Sequence, residues 1–269
     1  MPATLRSVAA PNDEFQLAHS LLSNRRQRHR QRRFVVQGVR PLERALAARW
    51  RVDAIWYAQD RPLSRWAQDA LARANARTHV EAAPALLAEL SERDEPSELV
   101  AIVEIPPDDL ERIRPRDPGL VVVLDRPASP GNLGSIVRSA DAFGADGVIV
   151  FGHAADPYDP QAVRASVGSL FDVPVVRQDS LETIRERLAG LRLVGASAAA
   201  TTPLDELELT APTALVVGNE AKGLSWAWRE ACDVLVRIPM NGGADSLNAA
   251  TAAAILLYEA DRQRRGSAA

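Results

Sequence analysis

Three segments of this 269-residue chain combine the residue types that could hold a small polar ligand. The first, DRPASPGNLGSIVRSADAFGA, sets Asn132 two residues before Gly134, with Arg138 one helical turn further on. Glycine lets backbone approach a ligand closely, and an asparagine amide offers both a donor and an acceptor. The second segment, VVGNEAKGLS, runs Gly218, Asn219 and Glu220 into a tight turn at Gly223. The third, IPMNGGADSLNAATAAAILLYEA, places Ile238 and Met240 before two glycines, then Ser246, Leu247 and Asn248 at the head of an Ala-rich helix. Ser and Asn there are natural helix caps. Taken singly, each segment reads as a turn or a cap.

Several chemistries drop out on residue type. Cys232 is the only cysteine, so neither a disulfide framework nor a cysteine metal cluster can form within the chain. The histidines lie outside the three segments, and no metal site is expected. A dinucleotide fingerprint needs G-x-G-x-x-G, whereas P-G-N-L-G-S supplies only G-x-x-G.

The elements that must position these segments follow from apolar patterning. LVVVL, GVIVF, PVV, LRLVGA, TALVVG and VLVRI are short apolar runs, as expected of strands buried on both faces. Helices are predicted over 134–143, 181–188, 225–231 and 246–264. The three polar segments then fall at strand exits of a parallel α/β sheet, where ligands bind. Before residue 105, strands at FVVQ, 52–57, 78–81 and LVAIVEI alternate with helices over 13–23, 64–76 and 85–91, giving a small α/β domain. The proline-rich stretch IPPDDLERIRPRDPG predicts a linker over 106–118, with domains at 1–105 and 119–269.

Charge is unevenly spread. The formal net charge is −3, yet residues 1–79 carry 15 Lys/Arg against 6 Asp/Glu, a balance of +9. RRQRHRQRR supplies Arg25, Arg26, Arg28, Arg30, Arg32 and Arg33, candidates for phosphate contact. The plainer alternative is a solvated charged helix. Arg164, in AVRASVGSLF, follows a strand exit and is a further candidate for contact with RNA or a cofactor. The five tryptophans read as packing residues, with Trp226 and Trp228 also candidates for a dimer surface. No apolar run approaches the roughly 18 residues a membrane span needs, so no membrane partner and a cytoplasmic location are expected.

N-x-G-x-x-x-R, G-N-E-x-x-G and I-P-M…S-L-N occur in that order and with fitting spacing. Together they resemble the SpoU (TrmH-like) family of SPOUT methyltransferases over residues 120–264. FVVQGVRPLERAL is similar to the opening of the L30e-like RNA-binding domain that often precedes that catalytic domain. Ala244, Asp245, Ala249 and Ala250 stand where the family usually has β-branched residues around S-L-N.

The resemblance implies an α/β trefoil-knot domain, with S-adenosyl-L-methionine as cofactor and an RNA ribose 2′-hydroxyl as target. It points to a uridine in 23S ribosomal RNA, as in members that confer resistance to a ribosome-targeting antibiotic. The alternatives are a tRNA substrate or a non-catalytic rRNA-binding protein. The catalytic set it implies is Arg138, Asn132, Glu220, Ser246 and Asn248. Gly218, Asn219, Glu220, Gly223, Ile238, Met240, Ser246, Leu247 and Asn248 would bind the cofactor, with Leu215 and Val217 completing an apolar wall. It also implies a homodimer through the catalytic domain. For Arg138 two roles stay open, general base or donor that orients the ribose.

Overall fold

The computed structural model describes residues 3–91 and 96–267. Its contacts divide it into two compact units, Met1–Pro106 with Tyr158–Phe171, and Pro107–Pro157 with Asp172–Ala269.

In the first unit the chain runs β1 (Thr4–Val8), α1 (Asp13–Ser23), α2 (Arg25–Gln31), β2 (Arg33–Gln37) and α3 (Val39–Ala47). It continues through β3 (Val52–Ala58), α4 (Arg65–Arg73), β4 (Thr78–Ala82), α5 (Pro84–Ser91) and β5 (Leu99–Glu104). The five strands form one sheet in the order β1-β4-β3-β5-β2, with β5 antiparallel to both neighbours. Phe15 and Leu21 of α1 and Leu86 and Leu90 of α5 bury against Val35, Trp56, Val80 and Ile102. Strand β1 went unpredicted because four of its five residues are exposed, leaving no apolar alternation to read.

Asn24 explains why α1 and α2 are two helices rather than one. Its backbone N–H still closes α1 on the Ser20 carbonyl, while its side chain accepts from the Gln27 N–H to start α2. Helix α2 ends at Arg32, whose φ of 52° is left-handed.

The basic run therefore divides by side-chain environment. Arg28 is 1% exposed and donates to the Leu21 carbonyl at 2.9 Å, the Leu22 carbonyl at 3.0 Å and Asp159 at 3.0 Å. It is a buried clamp on the last turn of α1 and is not placed to meet phosphate. Arg33 lies in β2 and pairs with Asp53 at 3.0 Å. Arg26, Arg30 and Arg32 are exposed.

Asp159 caps α7 (Pro160–Ser166), so the segment that carries the exposed Arg164 packs in the first unit, where the sequence had placed it in the second. Gly168 follows at φ +97°, and a Cβ there would lie 2.8 Å from Cγ of Arg44.

The second unit contains β6 (Leu120–Asp125), α6 (Pro130–Ala142), β7 (Gly147–Phe151), β8 (Val175–Gln178), α8 (Leu181–Arg187) and β9 (Arg192–Ala196). Then come β10 (Thr202–Pro203), β11 (Thr213–Val217), α9 (Trp226–Ala231), β12 (Val234–Arg237) and α10 (Ala249–Ser267). Its seven-stranded sheet has the order β10-β12-β9-β11-β6-β7-β8, every pair parallel. Strands β6 and β11 are buried throughout, as their unbroken apolar runs require.

The expected linker is more than a tether. It makes a 3-10 turn over Leu110–Arg112, and Ile113 is fully buried, packed so closely on Gly147 that a Cβ there would come within 2.7 Å.

Removing one partner of a buried ion pair strands the other, at a cost of several kcal/mol. Because Asp159 is partly open to solvent, Arg28→Ala should cost about 2–3 kcal/mol in urea unfolding. Arg26→Ala and Arg30→Ala should each stay within about 0.5 kcal/mol of the parent. An Arg28→Ala variant as stable as those two would return Arg28 to the surface set.

Candidate active site

Loops leaving β6, β11 and β12 bring the predicted residues together at one end of the seven-stranded sheet. Strands β6 and β11 are neighbours, so their exits face each other directly. At the end of β6, Asp125 is completely buried. Its carboxylate accepts from Arg126 Nε at 2.8 Å and Nη2 at 3.2 Å, and from the Ser225 N–H at 2.5 Å. The first loop's root thus holds the far end of the second. That hydrogen bond to Asp125 also raises the pKa of Arg126.

Arg126 has a left-handed φ of 55°, which turns its carbonyl to accept from Asn219 Nδ2 at 2.8 Å. Asn219 in turn accepts the N–H groups of Ala221 and Lys222, each at 3.0 Å, and exchanges backbone bonds with Gly223. This pulls the second loop into a closed hook. A Cβ on Gly218 would lie 2.3 Å from the backbone of Gly223 and Leu224, so only glycine fits. Sequence reasoning missed Asp125 because an acidic residue closing an apolar strand carries no spacing signal of its own.

The first loop is shorter than the sequence implied. Ser129 caps α6, accepting from the Asn132 N–H at 3.3 Å, and Pro130 occupies the first helical position. Helix α6 therefore begins four residues before the predicted start at 134, and Gly131, Asn132 and Gly134 lie within it.

Asn132 is the centre of a polar chain with a fixed direction. Its Nδ2 donates to Glu220 at 3.0 Å, and its Oδ1 accepts from Asn248 Nδ2 at 3.1 Å. Asn248 Oδ1 accepts the N–H of Ala250 at 2.8 Å, capping α10. A carboxylate only accepts and helix N–H groups only donate, so the two ends set both amide orientations. Glu220 also accepts the N–H groups of Ala128 at 2.9 Å and Ser129 at 3.1 Å. Burial pushes its pKa up, but the bonds from Ala128, Asn132, its own N–H and Ser129 outweigh that and leave it lowered. That contribution to stability is present above the unfolded carboxylate value of about 4.3 and is lost as pH falls through the lower folded value.

The third loop departs most from expectation. The cap of α10 is Asn248, and the helix begins at Ala249 rather than at Ser246. Ser246 is exposed, as is Met240, while Ile238 and Leu247 are half-buried. Leu215 and Val217 belong to the strand core. Met240 therefore does not join a closed apolar wall, because residues 238–248 form no regular structure that could pack it. Among the described residues, the backbone of 239–247 bonds to no other protein group.

Arg138 lies on the exposed face of α6, roughly 120° around the helix from Asn132, with no partner among the described residues. The structure joins Glu220, Asn132 and Asn248, and leaves Arg138 and Ser246 outside that chain. Cys232 is no nucleophile, since burial, then Asp233 and Asp125, push its thiol pKa up to about 12.

The seven-stranded parallel sheet and its three loops match the SpoU rRNA methylase family over residues 119–258, and the first unit matches the SpoU L30e-like domain over residues 12–101. The chain belongs to the SpoU rRNA methylase family.

It is 48% identical over 267 residues to the 23S rRNA (uridine(2479)-2′-O)-methyltransferase of Streptomyces viridochromogenes, covering 96% of this chain and 93% of that one. It also resembles the crystal structure of the SpoU methyltransferase AviRb from that organism in complex with AdoMet, with a TM-score of 0.90 and 49% identity, covering 95% and 99% of the two chains. An AdoMet-bound rRNA methyltransferase from Sinorhizobium meliloti follows at a TM-score of 0.87 and 31% identity, covering 96% and 98%. An uncharacterised tRNA/rRNA methyltransferase of Mycolicibacterium smegmatis is 45% identical over 163 residues, which cover 59% of this chain and about half of that relative (52%).

The polar chain gives a direct test. Asn132→Asp keeps the shape but sets an acceptor against the Glu220 carboxylate. It should cost about 1–2 kcal/mol in thermal unfolding. Amide exchange at Ala128 and Ser129, whose N–H groups Glu220 accepts, should accelerate about tenfold, corresponding to ~1.4 kcal/mol of lost protection. Unchanged exchange at those amides would show that the chain does not hold the loops.

Proposed function

We propose that this protein is an S-adenosyl-L-methionine-dependent methyltransferase acting on a ribose 2′-hydroxyl of 23S ribosomal RNA, at a uridine. The observation that carries this reading is the hydrogen-bonded chain Glu220–Asn132–Asn248, which ties together the three loops of a SpoU sheet. Similarity along nearly the whole length to a 23S rRNA uridine methyltransferase supports the substrate.

The loops suit the cofactor. Gly218, Asn219, Glu220 and Gly223 build a closed hook, and the backbone of 239–247, unbonded among the described residues, has polar groups to spare for a ligand. Ile238 and Leu247 offer half-buried apolar surface for an adenine, and Met240 and Ser246 stand free to close on it. Gly242 and Gly243 have nothing within 4 Å of a Cβ, which leaves room for the chain to fold over. S-adenosylmethionine supplies an electrophilic methyl group on a sulfonium centre.

The protein's own part is then placement. Arg138 orients the target ribose through its donors, since an arginine side chain offers no acceptor. Orientation of two reactants can supply ~7–11 kcal/mol of a barrier. An exposed Arg138 without a partner among the described residues suits a site completed by a second copy. We infer a homodimer through the second unit, a trefoil-knotted path for its loops, a cytoplasmic location and a role in antibiotic resistance. Incubating the protein with methyl-labelled cofactor and rRNA or tRNA, and mapping 2′-O-methyl groups by mass spectrometry, tests the reading. A new mark on a 23S uridine is expected, and label confined to tRNA overturns the substrate.

Arg138→Ala should abolish transfer while leaving cofactor affinity and the melting temperature unchanged. Retention of more than about a tenth of the parent rate, a loss below ~1.4 kcal/mol, would remove Arg138 from the reaction.

The remaining surface arginines dock the substrate. Replacing Arg26, Arg30 and Arg32 with glutamine should flatten the slope of log affinity against log salt by about two units, at ~0.7–0.9 per phosphate. Filter binding of an rRNA fragment at several salt concentrations measures it, and an unchanged slope would mark the run as solvent-facing only.

A further inference from the structure

Trp226 is 76% exposed, on a helix whose orientation leaves it no way to turn inward. Helix α9 starts directly after the second loop, and the N–H of its cap residue Ser225 is held by the buried Asp125 at 2.5 Å. Two residues after Trp226, Trp228 is fully buried and packs edge-on against Phe151 with ring centroids 5.5 Å apart. Residues two apart lie about 200° around a helix. Burying Trp228 therefore forces Trp226 to point away from the core.

An outward tryptophan beside a ligand loop leaves its indole in water, with no ring or hydrogen-bond partner among the described residues. The charges carried on the adjoining loop and turn bear on its role. Lys222, on the second loop, and Arg229, one turn along α9 on the side of Trp226, are exposed cations with no side-chain partner among the described residues. Arg229 reaches back toward the loop, its Nη2 lying 4.0 Å from a Cβ built on Gly223. The acidic groups nearby are largely occupied. Glu220 is bonded to Ala128, Ser129 and Asn132, and Asp233 accepts the Leu193 N–H at 2.7 Å. Glu230 is the one exposed carboxylate of α9 without a partner among the described residues.

An exposed indole with exposed cations on the adjoining loop and helix turn is the combination with which proteins hold an unpaired base and its phosphates. We propose that Trp226 is a stacking platform for an unpaired nucleobase of the RNA substrate, with Lys222 and Arg229 meeting the adjoining phosphates. This rests on the reading of the protein as an RNA methyltransferase, and it names a substrate-positioning residue outside the three motifs.

The test is steady-state methylation of 23S rRNA by the full chain, comparing the parent with Trp226→Ala and Trp226→Phe. Because Trp226 is exposed, neither change should disturb folding, which the melting temperature checks. Trp226→Ala should raise the KM for RNA by about 5- to 150-fold, the range set by base stacking on an aromatic ring. Trp226→Phe, which keeps a π face, should stay within about threefold of the parent. The affinity for S-adenosylmethionine and the mass by light scattering should not move. An unchanged KM for RNA in Trp226→Ala overturns the proposal, as does a halved mass, which would assign Trp226 to contact with a second copy. A parent enzyme that methylates no RNA at all would instead strike down the functional reading itself.

Discussion

A carboxylate at the end of a buried strand is an expensive object, and the candidate site is built on one. Asp125 is fully buried and satisfied from two directions, by the Arg126 guanidinium and by the Ser225 N–H. Removing a charge from water is tolerated only when such partners replace the lost hydration. Once they are in place, their geometry is no longer free. Arg126 must adopt a left-handed backbone, its N–H meets the Phe151 carbonyl, and its own carbonyl meets Asn219. The ends of β6 and β7 and both limbs of the second loop are joined through two consecutive residues.

The second loop closes on itself for the same reason. With Asn219 held at one end and Ser225 at the other, the chain between them must double back, and Gly218 passes too close to Gly223 for any side chain. Glu220 then projects toward the start of α6 and collects three donors, one of them Asn132. From there the hydrogen bonds run in one direction to the head of α10. A negative group at one end and a helix N-terminus at the other polarise the amides between them in the same sense.

Much of this was legible in the sequence, and the failures are instructive. The buried strands β6, β7 and β11 announced themselves as unbroken apolar runs, because a parallel strand covered on both faces tolerates little else. The residues that meet in the polar chain were found because three motifs coincided in order. Helix starts were read less well. Gly131 and Gly134 argued for a loop, yet Ser129 and Pro130 capped the helix ahead of them. At α10 the reverse held, with two candidate caps and Asn248 forming the cap bonds. The basic run misled most. Arginine at seven-residue helix α2 reads as surface by composition, and only a tertiary partner, Asp159, shows why Arg28 is inside.

The two halves of the site are therefore different kinds of structure. The hook after β11 is closed by bonds within the protein, between Asn219 and Arg126, Ala221, Lys222 and Gly223 and between the Ser225 N–H and Asp125, so its path is fixed before any ligand arrives. The segment 239–247 satisfies none of its backbone with described protein groups, and its side chains are largely exposed. A chain in that condition gives up conformational freedom when it binds, about 1–2 kcal/mol for each residue newly fixed. Cofactor affinity then depends less on the motif residues themselves than on how little of that ordering remains to be done. The small residues Gly242, Gly243 and Ala244 raise that cost, whereas β-branched residues around Ser246 would have lowered it by stiffening the free chain. Weak binding in this protein would thus trace to the third loop, with the hook unaltered.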